Sequence, residues 1–321
     1  MTSHSEIEKQ NDLRKTDAAY AWLNADVLSL AGAERVKFLN SYNSQDVARI
    51  APLESGYGTI LTQKGKLVSD TWIFNVGDSF RLLCEPGYAV KILEHLKTFL
   101  LFADVQMEDV SPQWRLAAVW GNRAEPFLRD CFGSVPDAER TLQASGLDGE
   151  IVYLFRSERF ASAGWEILLP RGVSEGLERR LRDAGFRESQ GDELERTRIA
   201  AGLPKMGVDM GEDNLIAEVG LDKRAASFNK GCYLGQETTA RLNSQGHANR
   251  HLIRVKLARP HRGDLPLEIR SVGSDKVVGH LTSVAGQGDG EIGLGLIHRN
   301  ADGERLIAAD DGEPIELETF E

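Results

Sequence analysis

The chain has 321 residues, enough for about two domains or one large one. Hydrophobic residues make up 41% and charged residues 27%, which excludes intrinsic disorder, a collagen-like repeat and a disulfide-stapled miniprotein. Lys plus Arg number 38 against 49 Asp plus Glu, a net charge of -11, so most of the surface repels nucleic acid and anionic lipid.

Residues 1–20 carry no apolar core of a secretory signal and read as a polar tail up to residue 18. The most apolar run, Thr98 to Val105, falls far short of the roughly 20 residues that a membrane-spanning helix needs. Cys84, Cys131 and Cys232 are widely spaced and form no CxxC pair. No disulfide framework, zinc site or other metal site is expected, and a reducing cytoplasm fits this usage.

Ala25 to Ala31 reads as a strand, and Glu34 to Ser41 as a short helix with Val36 and Leu39 on one face. Tyr57 to Thr62 and Leu67 to Val76 read as strands joined around Lys64-Gly65-Lys66, with Phe80 to Cys84 a third. Apolar residues at 89, 92, 93, 96 and 99–100 predict an amphipathic helix over 87–100. Ser111-Pro112 reads as a hinge to a second α+β unit. Its elements are a strand Trp114 to Trp120, a helix Arg123 to Cys131 and a Gly/Asp/Ser-rich loop over 133–149. Strands Ile151 to Phe155 and Trp165 to Leu169 and helices near 173–184 and 191–201 follow. Residues 202–250 hold seven glycines with weak periodicity, and an irregular stretch of that length in a compact protein points to function. Short alternating strands over 251–321 predict a small β-barrel.

The sharpest string is Lys230-Gly231-Cys232-Tyr233-Leu234-Gly235-Gln236-Glu237, followed by Ala240-Arg241. It resembles the K-G-C-Y-x-G-Q-E signature of the YgfZ family of folate-binding proteins, which is related to the GcvT aminomethyltransferase (T-protein) of the glycine cleavage system. Five further segments match in order across about 25–320. Val27 to Leu39 resembles the family's opening strand and helix, and Gly65 to Asp70 the hairpin bearing the transferase's acid. Gly164 to Pro170 resembles its G-[YF]-E strand, Arg198 to Pro204 the R-x-E-A-G-x-P helix end. Gly279 to Ser283 resembles a strand of its C-terminal barrel. The resemblance implies an α+β fold of three domains in a cloverleaf, with ferredoxin-like layers and a C-terminal small β-barrel. The expected domains are 20–110 with 203–250, which would bind folate and carry the motif, then 111–202, then 251–321.

The candidate site residues have chemistry of their own beside the resemblance. Asp70 lies on a predicted strand, where a carboxylate can hold or relay a proton. The resemblance places it near the reacting amine of a folate; otherwise it is a strand aspartate facing water. Ser69 stands where the transferases carry a second aspartate. Glu166 interrupts an apolar strand, and a carboxylate matches the N–H edge of a pterin. The resemblance implies that role, while strand alternation equally allows Glu166 to face solvent. Arg198 is implied to contact folate, or else completes a helix C-terminus; Ala200 replaces the usual Glu there. Lys223, Arg224, Lys230 and Arg241 form a locally basic stretch suited to the carboxylates of a folate tail, or an ordinary solvated loop. A lone cysteine is usually a small buried hydrophobe. A neighbouring ammonium such as Lys230 lowers a thiol's pKa, and the motif makes Cys232 the expected reactive residue. Cys84 and Cys131 read as structural, and His247 as a loop residue.

The resemblance implies a tetrahydrofolate-binding accessory protein, taking the cofactor itself or a one-carbon derivative. It would support synthesis or repair of iron–sulfur clusters in 4Fe–4S enzymes. Cys232 and Asp70 would be its acting groups, and Glu166, Arg198, Lys230 and Asp70 its cofactor-binding residues. The expected partners are iron–sulfur assembly proteins or client 4Fe–4S enzymes, with no nucleic acid or membrane, and the expected state is a monomer. No conventional catalytic activity is expected. The alternative is a folate-dependent aminomethyltransferase of the glycine cleavage type. No GxGxxG fingerprint opens a βαβ unit, which leaves a flavin-bearing oxidase relative a weak third reading.

Overall fold

The computed structural model describes residues 17–137, 140–156, 164–189, 191–286, 290–310 and 313–320. The expected polar tail lies almost wholly outside them. The chain divides into two compact units, Leu13–Ser189 with Lys223–Ala240, and Gln190–Asp222 with Arg241–Glu321.

The first unit is built on two sheets. Strands β1 (Ala19–Leu23), β2 (Asp26–Ala31), β3 (Ser55–Leu61), β4 (Leu67–Asn75), β5 (Ser79–Cys84) and β6 (Gln106–Asp109) are interleaved with helices α1 (Arg35–Tyr42) and α2 (Tyr88–Leu100). Five of these strands form one antiparallel sheet in the order β3-β4-β5-β2-β6. After β7 (Trp114–Trp120) come α3 (Ala124–Phe132), β8 (Leu142–Leu147), β9 (Glu150–Arg156), β10 (Gly164–Pro170), α4 (Ser174–Asp183) and β11 (Arg187–Glu188). They complete a six-stranded sheet, β11-β1-β7-β10-β9-β8, parallel only between β1 and β11. The two sheets meet face to face through Val27, Phe74 and Leu83 of one and Tyr153, Phe155 and Leu168 of the other. The other face of the six-stranded sheet buries Val119 and Ile167 under Leu128 of α3 and Leu177 and Leu181 of α4. Each fully buried side chain of this size contributes roughly 1.5–3 kcal/mol.

Helix α2 follows from its apolar stripe, which buries Ala89, Ile92 and Leu96. Its start is fixed from β2: the Asp26 carboxylate accepts the N–H groups of Gly87 at 2.7 Å and Ala89 at 3.1 Å. These donors have no intrahelical partner, and a carboxylate suits the positive end of the helix dipole.

In the second unit, α5 (Asp192–Ala200) precedes a closed antiparallel barrel. The barrel strands are β12 (Arg250–Leu257), β13 (Leu267–Ser271), β14 (Val277–Ala285), β15 (Ile292–His298), β16 (Leu306–Asp310) and β17 (Glu313–Phe320), in the order β12-β15-β14-β13-β16-β17. Alternation is plain in β13, where Leu267, Ile269 and Ser271 are buried and Glu268 and Arg270 are not. Val255, Leu257, Ile269, Leu281, Ala308 and Ile315 fill the interior.

The sheets, helices and barrel follow the predicted order, with some differences. Strands β1, β6 and β11 were not expected; β6 pairs with β2 in the five-stranded sheet, and β1 and β11 extend the six-stranded one. Strand β8 lies inside the predicted loop 133–149, because pairing with β9 outweighs the weak strand preference of Gln143 to Gly146. The irregular stretch 202–250 contains two helices, α6 (Asp222–Ala225) and α7 (Gln236–Gln245). Of that stretch, 223–240 belongs to the two-sheet unit, whereas 203–222 and 241–250 belong to the barrel's unit.

Candidate functional site

The turn around Cys232 is held by its own neighbours. The Lys230 ammonium donates to the carbonyls of Asn40 at 2.6 Å, Asn43 at 2.8 Å and Gln45 at 2.6 Å. Asn40 lies in the last turn of α1 and Asn43 follows its end, where carbonyls lack helical partners. Burial pushes the Lys230 ammonium down to about 8, with the nearby Asp46 charge acting in the opposite sense. Its Nζ also lies 5.0 Å from the centroid of the Tyr233 ring, which is itself buried. The Leu234 N–H donates to the Ser41 carbonyl at 2.9 Å. Gly235 has φ +82°, and a Cβ there would stand 2.6 Å from the Thr62 carbonyl and 2.9 Å from Leu61 Cβ. Only glycine satisfies both demands. Lys230, Tyr233 and Gly235 are thus engaged in fixing the turn. Cys232 between them is exposed to solvent.

The two carboxylates fall on the face where the sheets meet. On β4, Asp70, Trp72 and Phe74 share one side by strand alternation. Tyr57 Oη donates to Asp70 Oδ2 at 2.8 Å, and the Tyr57 ring lies 5.0 Å from Trp72. Trp72 is 6.4 Å from Phe155, the cross-strand partner of Glu166. Glu166 is 4% exposed, so the solvent-facing alternative for this residue is excluded. Asp70 is half-buried. A line of aromatic rings therefore joins the neighbourhoods of the two carboxylates. Ser69 Oγ donates to the Asp70 carbonyl at 2.8 Å and supplies no second acid.

Arg198 lies in the other unit and is 4% exposed. Its Nε donates to Glu195 at 3.0 Å, and Nη2 donates to Glu195 and, at 2.8 Å, to Ser283 Oγ. Its Nη1 donates to the Leu203 carbonyl and, at 2.6 Å, to Asp209. Burial would release the guanidinium proton more readily, but Glu195 and Asp209 outweigh it and hold the proton more firmly than usual. All five N–H groups are engaged inside this unit. Arg198 thus sits at a buried ion-pair centre, which the spacing of one Arg in a helix could not foretell. Lys230 is engaged in the same way, with its three protons on backbone carbonyls.

Lys223 and Arg224 line a groove of about 570 Å³ in the two-sheet unit, together with Arg49 and Arg140. Neither Arg49 nor Arg140 was singled out in the sequence, because they lie far from the motif. Arg241 and His247 are exposed and belong to the other unit. Cys84 is buried, and burial pushes its thiol well above the ordinary range. Burial also raises Cys131. Among the described residues, no group of three or more His, Cys, Asp or Glu could hold a metal ion, and no helix is long and apolar enough to cross a membrane.

Two facing sheets with carboxylates on the shared side in one unit, and a closed six-stranded barrel in the other, define a fold class found among aminomethyltransferases. The aminomethyltransferase T of the glycine cleavage system from Bartonella henselae superposes with a TM-score of 0.84 at 19% identity, over 98% of this chain and 88% of that one. The model of the GCVT N-terminal domain matches residues 22–230, and the chain belongs to that family. A putative chloroplastic transferase of Arabidopsis thaliana is 26% identical over 285 residues, and the match spans 85% of this chain but only 63% of that protein's length. The tRNA-modifying protein YgfZ of Colwellia psychrerythraea is 27% identical over 245 residues, covering 75% of this chain and 72% of that one.

Proposed function

We propose that the chain is a tetrahydrofolate-binding accessory protein that supports synthesis or repair of iron–sulfur clusters in 4Fe–4S enzymes, with Cys232 as its acting thiol. The observation that carries this reading is the exposed Cys232 on a turn whose other residues hold it in place. An exposed thiol with no packing duty is available to a partner. A cluster normally takes about four cysteine ligands, so the cluster belongs to the client enzyme.

The residues on the inter-sheet face fit a folate. Glu166 offers a buried acceptor for the N–H edge of a pterin, and Tyr57, Trp72 and Phe155 offer flat apolar surface beside it. Asp70, oriented by the Tyr57 hydroxyl, can hold a proton near the folate amine. Bound tetrahydrofolate supplies a carrier for a one-carbon unit. Lys230 serves the site indirectly, by fixing the turn that presents Cys232. The chain would act as a monomer, with iron–sulfur assembly proteins or client enzymes as its partners.

The second reading is a folate-dependent aminomethyltransferase, favoured by the hydrogen bond that orients Asp70. Ser69 counts against it, since it leaves one acid where the transferases have two. Deleting the gene and assaying a 4Fe–4S dehydratase and glycine cleavage in the same extracts separates the two. The proposal expects loss of dehydratase activity, rescued by the wild type and not by Cys232→Ala. A fall in glycine cleavage with dehydratase intact, fully rescued by Cys232→Ala, would replace it with the transferase.

A further inference from the structure

Three consecutive residues join the Asp70 hairpin to the segment that carries Cys232. Asn43, Ser44 and Gln45 follow α1 and run along the outer edge of β3, where Asn43 makes an isolated antiparallel bridge to Ile60. On one side they grip the hairpin around Asp70. Asn43 Nδ2 donates at 3.0 Å to Oγ1 of Thr71, the neighbour of Asp70 on β4. Ser44 Oγ accepts the N–H of Thr59, the cross-strand partner of Asp70, at 2.8 Å. Gln45 Nε2 donates at 2.9 Å to the carbonyl of Tyr57, whose hydroxyl holds Asp70. On the other side the same three residues hold the motif segment. The carbonyls of Asn43 and Gln45 accept from Lys230 at 2.8 and 2.6 Å. Ser44 Oγ donates to the Ala225 carbonyl, and the Ser44 carbonyl accepts the Ser227 N–H at 2.9 Å.

Asn43, Ser44, Thr59 and Thr71 are buried. Asn43 Oδ1 accepts the Gln45 N–H at 2.9 Å, which fixes the tripeptide internally. A Cβ on Gly58 would stand 2.0 Å from that oxygen, so glycine there lets the tripeptide lie close against β3. A buried polar group that loses its partner is costly. The hairpin and the motif segment, both in one compact unit, therefore cannot shift independently without leaving such groups unpaired. We propose that Asn43–Gln45 is a strap through which a ligand seated against Asp70 and Tyr57 orders the turn that presents Cys232. A ligand that narrows the motion of the hairpin passes that order along the strap without a change of fold. This coupling rests on the folate reading above and ties its cofactor to its thiol.

Amide hydrogen exchange of the full chain, followed by mass spectrometry with and without saturating tetrahydrofolate, tests it. Protection at residues 231–235, which include the Leu234 N–H bonded to Ser41, should rise about fivefold or more. Helix α4, which packs on the other sheet, should change much less. Gln45→Ala cuts the grip on Tyr57 and keeps the carbonyl that holds Lys230, so at saturation it should lose most of the rise. Tetrahydrofolate that binds without changing exchange at 231–235 overturns the strap and leaves the folate reading standing. Absence of binding overturns both. A rise shared equally by α4 reports general stabilisation, and a full rise in Gln45→Ala reports direct covering of the turn by the ligand; either overturns the strap.

Discussion

Lys230 and Gly235 show how a short motif divides its labour. The lysine ammonium gathers three carbonyls at the end of a helix, and the glycine lets the turn press against the hairpin. Gly231 has open space around it and no positive φ, so it carries no such demand. Gly235→Ala should therefore destabilise the chain by more than about 1 kcal/mol, through both a strained backbone and a contact with Thr62. Gly231→Ala should stay within about 0.5 kcal/mol of the wild type. Denaturant melts of the two variants read this directly, and equal midpoints would refute the account of the turn. From sequence the basic residues of this region looked like a rim for anions. Only the fold distinguishes Lys230, turned inward onto carbonyls, from Lys223, exposed in the groove.

The sheets were legible where the period-two pattern was strong, as in β4, β7 and β10, and where a turn residue closed a hairpin, as at Gly65 and Gly77. They were not legible where tertiary pairing overrides a weak preference, as in β8. Alternation also could not settle Glu166. A sheet covered on both sides has no solvent face, so the side opposite Trp165 and Ile167 is another core. Phe155 joins the two layers, lying 4.6 Å from Phe74 on the opposite sheet and paired with Glu166 on its own. Phe155→Ala should cost about 3–5 kcal/mol, in the range for emptying a buried aromatic site. A loss under 1 kcal/mol in a denaturant melt would mean that the layers do not depend on this contact.

Acid acts on the whole molecule through the barrel's unit. Burial alone would raise Glu218, but the Arg250 guanidinium at 3.0 Å and the Leu215 N–H hold it below its ordinary 4.5. Asp310 is held below its ordinary 3.8, since the N–H groups of Gly263 and Arg262 and the Arg259 guanidinium outweigh its burial. Both folded values are depressed, so their stabilisation is complete above the ordinary carboxylate range and is lost as pH falls through it toward the folded values. Melting temperature should drop as pH falls below about 4.5. Asp310→Asn should melt lower at neutral pH and lose less on acidification. Parallel curves for variant and wild type would assign the acid transition to other groups.

The bonds from Lys230 reach back 185 to 190 residues along the chain. On a ribosome, the strands and helices of residues 19–189 emerge well before the segment that closes on them. Until Lys223–Ala240 has been made, the carbonyls of Asn40, Asn43 and Gln45 lack their ammonium, and the nascent unit has only water to satisfy them. The cysteine is therefore made after the strands and helices of residues 19–189 and before the barrel strands, so the turn that presents it closes onto elements synthesised long before it.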